Sequence, residues 1–163
     1  MRIQVLMFYQ DDPKKCTAAK LAKFGLAKIT TSINGKSLVL DPFAPRVLLP
    51  ADRSVASSIV GIDCSWKLAD RAFSRHFGSI KRSLPPLLAG NPVNYSKIGK
   101  LTTVEALSAS LFILGFRDRA FLLLDKFKWG HTFYELNQNL LEEYSKSISQ
   151  DQIPLIARQY GLA

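Results

Sequence analysis

Residues 57–66 read SSIVGIDCSW, an apolar run that ends in an aspartate, a cysteine, a serine and a tryptophan. The run predicts a buried β-strand that stops at Asp63. The amphipathic helix pattern WKLADRAFSRHF follows, with Leu68, Ala72 and Phe73 on its inward face. A strand that leads into a helix is typical of α/β folds, in which ligands bind beyond the carboxyl ends of the strands. GIDCSW therefore marks a candidate site.

The segments before this stretch continue the α/β pattern. DDPKKCTAAKLAKFG predicts a helix over residues 18–24, with Thr17 as its N-cap and Gly25 at its end. Further strands are predicted at RIQVLMFY (2–9), SLVL (37–40), the start of VLLPADRSVAS (47–57) and KRS (81–83).

From Thr103 onward the periodicity is helical. Four segments carry it: VEALSASLFILGF, DRAFLLLDKF, TFYELNQNLLEEYSK and QDQIPLIARQY. We therefore predict an α/β N-terminal lobe over residues 1–92 and an all-α C-terminal lobe over residues 93–163.

The charge is unevenly distributed along the chain. The net charge is +9, and residues 1–92 hold 14 Lys/Arg against 6 Asp/Glu, whereas residues 93–163 hold 8 against 7. A basic half suggests that a polyanion such as RNA binds the first lobe, although the lysines could merely solvate one helix.

Other residue types exclude several classes of protein. Cys16 and Cys64 lie far apart, and His76 and His131 are isolated, so no metal site is expected. No apolar run reaches the roughly 20 residues of a membrane span, and MRIQVLMFYQDD turns acidic too early for a signal peptide. We expect a cytoplasmic protein that does not bind membranes.

The segment LPPLLAGNPVNYSKIGK, residues 84–100, combines turn residues with apolar ones. We expect a packed loop with a fixed backbone, which suits recognition of an adenine edge or ribose but could be a plain connection. Thr102 and Glu105 then form a capping box. The helix starts at Thr17 and Thr103 could together hold a carboxylate, although capping alone would explain each threonine.

Three segments, DDPKKCTAAKL, GIDCSW and LPPLLAGNPVNYSKIGKLTTVEALSASLFILG, carry a family resemblance. The chain resembles, over essentially its whole length, the ribosomal RNA aminocarboxypropyltransferases of archaea and eukaryotes, which act in small-subunit biogenesis. Its length is similar to that of the archaeal members. The resemblance implies a SPOUT-like fold with a trefoil knot that holds S-adenosylmethionine (SAM).

The implied reaction transfers the 3-amino-3-carboxypropyl group of SAM to N3 of a hypermodified (N1-methyl)pseudouridine in small-subunit rRNA, with or without prior N1 methylation. The resemblance also implies roles for individual residues. Thr17 and Thr103, with Thr102 beside it, bind the amino-acid end of SAM; Ile62 binds the ribose through its carbonyl; Leu84 and Gly99 meet adenine through their backbones; Trp66 packs beside the sulfonium.

Two side chains of GIDCSW carry the expected chemistry. Trp66, with Ala69, would shield the methyl group so that the longer arm meets the acceptor, although it could be a plain core tryptophan. Asp63 would bind the ammonium of the donor or remove the N3 proton as a general base. We expect Cys64 and Ser65 to serve packing and capping.

The basic residues expected to bind RNA are Lys14, Lys15, Arg53, Lys67, Lys81 and Arg82. The acceptor would be small-subunit rRNA or the pre-ribosomal small subunit, bound by a monomer. Two alternatives remain: an rRNA methyltransferase of the same knotted class, and a non-catalytic ribosome assembly factor.

Overall fold

The structure is a computed structural model that describes residues 1–10, 12–73 and 79–162, without the side chains of Arg71 and Phe73. The strands are β1 (Arg2–Met7), β2 (Lys28–Ile29), β3 (Ser37–Leu40), β4 (Ser58–Asp63) and β5 (Ile80–Arg82). They form a parallel sheet with the order β2-β1-β4-β3-β5.

Strand β4 lies at the centre of the sheet, and all six of its residues are buried. It pairs with β1 on one side and β3 on the other, and Met7 lies opposite Asp63. A strand that is covered on both faces typically has a continuous apolar sequence, and SIVGID has this pattern. The predicted end of this strand at Asp63 is confirmed. The strand predicted at the start of VLLPADRSVAS forms only one bridge, between Val47 and Ser83.

The helices are α1 (Thr17–Lys23), α2 (Ala69–Phe73), α3 (Thr103–Ile113), α4 (Arg117–Leu124), α5 (Gly130–Tyr144) and α6 (Gln152–Gln159). Short 3-10 helices cover Pro50–Ser54 and Trp66–Leu68. The four helical segments predicted after residue 102 are confirmed. None of the helices in the described ranges has both the length and the apolarity needed to span a bilayer.

Two local predictions need correction. The N-cap of α1 is Cys16, whose sulfur accepts a hydrogen bond from the amide of Ala19 at 3.3 Å, and not Thr17. The predicted helix after β4 begins with the 3-10 turn, so Leu68 is 39% exposed, whereas Ala72 is buried as predicted. The side chain of Phe73 and residues 74–78 lie outside the described part of the chain.

Helix α3 packs against β4 on one side and against α4 and α5 on the other. Nine of its residues are buried. Gly61 permits the close approach to β4, because a Cβ atom there would lie 3.0 Å from Cγ2 of Thr103 and 3.4 Å from Leu107. The start of α3 is thereby held over the carboxyl end of β4.

The predicted fold class is wrong in two respects: the division of the chain into two lobes, and the knotted SPOUT-like topology. We expected an α/β lobe joined to an all-α lobe in a SPOUT-like fold with a trefoil knot. The described residues instead form one α/β fold, in which Ile59 of β4, Leu107 of α3 and Phe133 of α5 belong to the same hydrophobic core. A trefoil knot is not shown by the described residues. Helical periodicity predicts helices but not the surface on which they pack, which explains the error.

Candidate functional site

A cavity of about 550 Å³ lies beyond the carboxyl ends of β3 and β4. Its volume is in the range typical of sites for small molecules and cofactors. Its walls come from the segment before α1, the ends of both strands, the loop over residues 84–101 and the start of α3. The lining includes all eight residues predicted for the donor and its chemistry: Thr17, Ile62, Asp63, Trp66, Leu84, Gly99, Thr102 and Thr103.

Asp63 is a buried carboxylate with 7% of its surface exposed. Its Oδ2 accepts a hydrogen bond from the Cys16 thiol, and its Oδ1 accepts one from the Thr103 hydroxyl, each at 3.0 Å. Both donors are neutral, and among the described residues Asp63 forms no ion pair. The site therefore contains a fixed negative charge that could pair with a cationic group of a ligand.

No role in the site was predicted for Cys16 from the sequence. Burial raises the pKa of its thiol to about 11, and the adjacent Asp63 carboxylate adds to the increase. At neutral pH the group is therefore a thiol that donates to Asp63. Sequence reasoning missed this role because cysteine is not among the usual N-cap residues.

The starts of α1 and α3 meet at the cavity, as expected. The hydroxyl oxygen of Thr17 accepts a hydrogen bond from the amide of Val104 at 3.2 Å. The hydroxyl proton of Thr103 is donated to Asp63, and the Thr102 hydroxyl contacts the Glu105 carboxylate at 3.0 Å. Among the described residues, the hydroxyl of Thr17 donates no hydrogen bond, so this threonine retains a donor for a ligand.

The predicted capping box at the start of α3 is confirmed. Thr102 accepts from the amide of Glu105 at 3.3 Å, and the Glu105 carboxylate accepts from the amide of Thr102 at 2.7 Å. The same carboxylate also accepts from the backbone amides of Gly90 at 2.7 Å and Asn91 at 3.0 Å, and from Nδ2 of Asn91 at 2.9 Å. Glu105 is fully buried and ties both ends of the 90–102 loop to α3.

The loop over residues 84–101, which forms one wall of the cavity, has the fixed backbone predicted for it. The amide of Ala89 donates to the carbonyl of Lys97 at 3.0 Å, and the amide of Gly99 donates to Leu87 at 2.9 Å. Gly99 has a φ of 72°, in the left-handed region that favours glycine. Leu84 lies at the other end of this wall and is half-buried.

Trp66 lines the cavity and is 38% exposed, which excludes the plain core tryptophan considered above. Its indole Nε1 donates to the carbonyl of Leu101 at 3.3 Å. The Lys100 ammonium lies 4.8 Å from the centre of its ring. Ser65 caps the 3-10 turn by accepting from the amide of Lys67 at 3.3 Å, as predicted. Trp66 thus bridges the β4 side of the cavity and the loop.

The six basic residues predicted for RNA do not share one surface. Lys14, Lys15 and Lys67 are exposed, and Lys15 lines the cavity. Lys81 and Arg82 form salt bridges with Asp41 at 3.4 Å and with Asp52 at 3.0 Å.

Arg53 lies near the opposite end of α3 from the cavity. Its guanidinium is 4.4 Å from the ring of Phe116, which follows the last residue of α3. The 11 residues of α3 span about 16 Å from the cavity to that end. The structure therefore does not bring Arg53 to the cavity.

The described residues contain no group of three or more His, Cys, Asp and Glu side chains that could hold a metal ion. His131 is exposed and lies 3.5 Å from Asp125, and His76 is outside the described residues.

The chain matches two family descriptions. "Ribosome biogenesis protein, C-terminal" matches residues 38–161, and "Possible Fer4-like domain in RNase L inhibitor, RLI" matches residues 1–32. An iron–sulfur cluster of the Fer4 type requires four cysteine ligands, and Cys16 is the sole cysteine in residues 1–32. The residues present there do not fit such a cluster.

Relatives and a solved structure match nearly the whole chain. A 16S rRNA aminocarboxypropyltransferase from Methanosarcina mazei is 42% identical over 93% of this chain and 90% of its own length. Its counterpart from Thermoplasma volcanium is 45% identical over 97% of each chain. The structure of the SAM-dependent rRNA:acp-transferase Tsr3 from Vulcanisaeta distributa matches with a TM-score of 0.89 and 38% identity, over 99% of this chain and 89% of that one. This chain belongs to the family of 16S rRNA aminocarboxypropyltransferases.

Proposed function

We propose that this protein transfers the 3-amino-3-carboxypropyl group of SAM to N3 of a (N1-methyl)pseudouridine in small-subunit rRNA. In this step the N3–H bond is lost, a nitrogen–carbon bond forms, and the carbon–sulfur bond breaks to release methylthioadenosine. The observation that carries the proposal is the convergence of eight residues from four separate segments on one cavity. The names of the relatives support the same reaction class.

The cavity has the size and the mixed polarity that SAM requires. SAM supplies an activated carbon beside a cationic sulfur, so the chain needs to supply orientation rather than a strong catalyst. Ile62 would bind the ribose through its backbone carbonyl, and Leu84 and Gly99 would bind adenine through their backbones. Each of these residues lies on the cavity wall.

Asp63 would hold the ammonium group of the donor. Its two carboxylate oxygens are oriented by Cys16 and Thr103, and its charge has no cationic partner among the described residues. A carboxylate that is already oriented by two donors is better suited to positioning a cation than to rapid proton abstraction. We therefore assign Asp63 an electrostatic role.

The three threonines would have different roles at the amino-acid end of SAM. Thr17 retains a hydroxyl donor for the carboxylate of SAM, and the start of α3 adds the partial positive charge of a helix N-terminus. Thr103 orients Asp63, and Thr102 caps α3, so both would act mainly through their positions beside the carboxylate.

Trp66 would decide which carbon of the sulfonium reaches the acceptor. Its indole is fixed by the bond to Leu101, so it could form a rigid wall against the methyl substituent. With the methyl group covered, the aminocarboxypropyl arm faces the open side of the cavity. Ala69, which is buried directly after the 3-10 turn, would complete this wall.

Residues 1–92 would carry most of the SAM and RNA contacts, and residues 93–163 would complete the donor site through Gly99, Thr102 and Thr103. Exposed Lys14, Lys15 and Lys67 are the basic residues best placed to meet phosphates near the cavity. We further propose that the protein acts as a monomer in the cytoplasm on the pre-ribosomal small subunit, without a membrane contact.

The decisive experiment uses two preparations of SAM, labelled in the methyl carbon or in the carboxyl carbon. The acceptor is 16S rRNA from cells that lack this gene. Carboxyl label on the RNA, and its absence with the Asp63→Ala protein, supports the proposal. Methyl label on the RNA would identify a methyltransferase instead. RNA binding without either label would identify a non-catalytic assembly factor.

A further inference from the structure

Two exposed aromatic residues follow the carboxyl ends of strands β1 and β3. Tyr9 is 72% exposed and Phe43 is 59% exposed. Tyr9 follows β1 and Phe43 follows β3, the two strands that flank β4. Exposed single hydrophobic residues are common, but these two lie on opposite sides of the strand that ends in Asp63. Neither residue takes part in the donor site proposed above.

Tyr9 is held in an unfavourable backbone conformation. Its φ is 54°, in the left-handed region that a residue with a large side chain rarely adopts. The chain is fixed on either side of it: the amide of Phe8 donates to the carbonyl of Asp63 at 3.0 Å, and Oε1 of Gln10 accepts from the amide of Ser65 at 2.8 Å. Strain of this kind is retained mainly at functional positions, and here it presents an aromatic ring to solvent.

Phe43 is fixed by a turn that belongs to the cavity wall. Its amide donates to Oδ1 of Asp41 at 2.8 Å, and the amide of Ala44 donates to the carbonyl of Asp41 at 3.1 Å. Asp41 and Pro42 both line the cavity. The backbone that carries the Phe43 ring is therefore tied to the same opening as Tyr9.

Exposed basic residues lie near Tyr9 and Phe43 in the sequence, although Asp12, which is also exposed, lies between Tyr9 and Lys14. Lys14 and Lys15 follow Tyr9 in the chain, Arg46 follows Phe43, and Lys67 follows Trp66; all four side chains are exposed. Aromatic rings interspersed with cations are the combination that binds single-stranded nucleic acid, because bases stack on rings while phosphates pair with lysines.

We propose that Tyr9 and Phe43 stack against the unpaired bases on either side of the nucleotide that enters the cavity. The inference rests on the proposed function for the identity of that nucleotide, and it adds which residues would contact the bases on either side of it. The backbones of β1 and β3 are separated by two sheet spacings, about 10 Å, and a single extruded base could enter between residues that follow the two strands. A duplex cannot supply such a base without unpairing.

The test measures affinity for a synthetic RNA hairpin that carries 2-aminopurine in its unpaired loop, with a fully paired duplex of equal length for comparison. We expect the parent protein to prefer the hairpin and to quench its fluorescence. Tyr9→Ala and Phe43→Ala should each weaken hairpin binding by about tenfold and reduce the quenching, whereas Tyr9→Phe should retain both.

Tyr160→Ala is the matched control, because Tyr160 is 38% exposed at the end of α6. It should bind the hairpin like the parent. SAM affinity, measured on the same preparations, reports that each variant is folded. Parent-like hairpin binding by both the Tyr9→Ala and the Phe43→Ala protein would overturn the inference, as would equal affinity of the parent for hairpin and duplex.

The two proposals can fail separately. If both alanine variants transfer carboxyl label at the parental rate, the stacking inference fails and the proposed reaction stands. If the parent binds the hairpin through both rings but transfers no carboxyl label to RNA, the proposed reaction fails and the RNA surface stands.

Discussion

The Cys16 thiol donates a hydrogen bond to Oδ2 of Asp63 at 3.0 Å, and this contact joins the start of α1 to the end of β4. The two residues are 47 positions apart in the chain. Because the thiol and the Thr103 hydroxyl bind different oxygens of Asp63, the carboxylate can adopt only one orientation. Cys16 is therefore a positioning residue for the proposed ammonium site.

Two replacements of Cys16 distinguish the effect of its hydrogen bond to Asp63 from the effect of its side-chain volume. Cys16→Ser keeps a donor and should retain most of the SAM affinity, whereas Cys16→Ala removes it and should weaken SAM binding by roughly fivefold, since one hydrogen bond contributes about 1 kcal/mol. Calorimetric titration with SAM provides the measurement, and Ser54→Ala, at an exposed position outside the cavity, is the control. Equal SAM affinity of the serine and alanine variants would contradict the positioning role.

Because of the Cys16 thiol, the free energy of unfolding should decrease as the pH becomes alkaline. The pKa of Cys16 in the folded protein, about 11, is above its ordinary value of 9.0, so the neutral thiol contributes stability that is complete below pH 9.0 and lost as the pH rises through about 11. The difference in unfolding free energy between the parent and Cys16→Ser should therefore fall across this window. A difference that stays constant from pH 8 to pH 11 would show that Cys16 does not titrate as described.

Replacement of Asp63 tests the electrostatic assignment. Asp63→Asn keeps the shape but removes the charge, and we expect SAM affinity to fall by about 10- to 100-fold, as for the loss of a charged hydrogen bond. An analogue of SAM without the amino group should bind the parent and the variant equally. Asp70→Asn, an exposed change on α2, is the control. Unchanged SAM affinity with a loss of turnover would instead favour Asp63 as the general base.

Glu105 should support both the fold and the donor site. Glu105→Gln places an amide NH2 among backbone donors that now bind carboxylate oxygens, and we expect a loss of about 2–3 kcal/mol in unfolding free energy. SAM affinity should fall as well, because the 90–102 loop is part of the cavity wall. Thermal unfolding and SAM titration measure the two effects. Glu135→Gln, at an exposed position of α5, should change neither.

Trp66 should control the choice between the substituents on sulfur. Trp66→Ala removes the proposed wall against the methyl group, so part of the label reaching RNA should then come from the methyl carbon of SAM. Trp66→Phe keeps a ring but loses the hydrogen bond to Leu101, and it should show a smaller change. The ratio of methyl to carboxyl label on RNA is the measurement. A ratio that stays at the parental value in Trp66→Ala, with transfer still detectable, would exclude this role.

The basic residues should differ in their contribution to RNA binding. Lys14→Gln, Lys15→Gln and Lys67→Gln should each lower the slope of log affinity against log salt by about 0.7 to 0.9, the value expected for one lost phosphate contact. Arg82→Gln should lower it less, because Asp52 already holds that guanidinium. The same titration with Arg53→Gln and Lys81→Gln tests the remaining predicted contacts. Unchanged slopes for all three lysines would place the RNA elsewhere.

Local sequence patterns were sufficient to predict much of the secondary structure. The apolar run of β4 ends at Asp63 as predicted, and the capping box of Thr102 and Glu105 is present, because both depend on residues only a few positions apart. The two-residue strand β2 and the 3-10 turn at Trp66 were missed, since neither has a run long enough to show periodicity. Cys16 was missed as a cap because its residue type is uncommon there.

The sequence by itself determined most of the strands and helices, and it indicated eight residues that line the cavity. Only the tertiary structure decided that α3 packs on β4, so that the fold is not two separate lobes, and that Cys16, Asp63 and Thr103 share one hydrogen-bonded cluster. The reason is physical: periodicity reports contacts within a few residues along the chain, whereas partners 40 or more positions apart are selected by packing. Gly61 is an example, because the sequence alone does not show why a glycine is needed there. The reason is the close approach of Thr103, which only the tertiary structure shows.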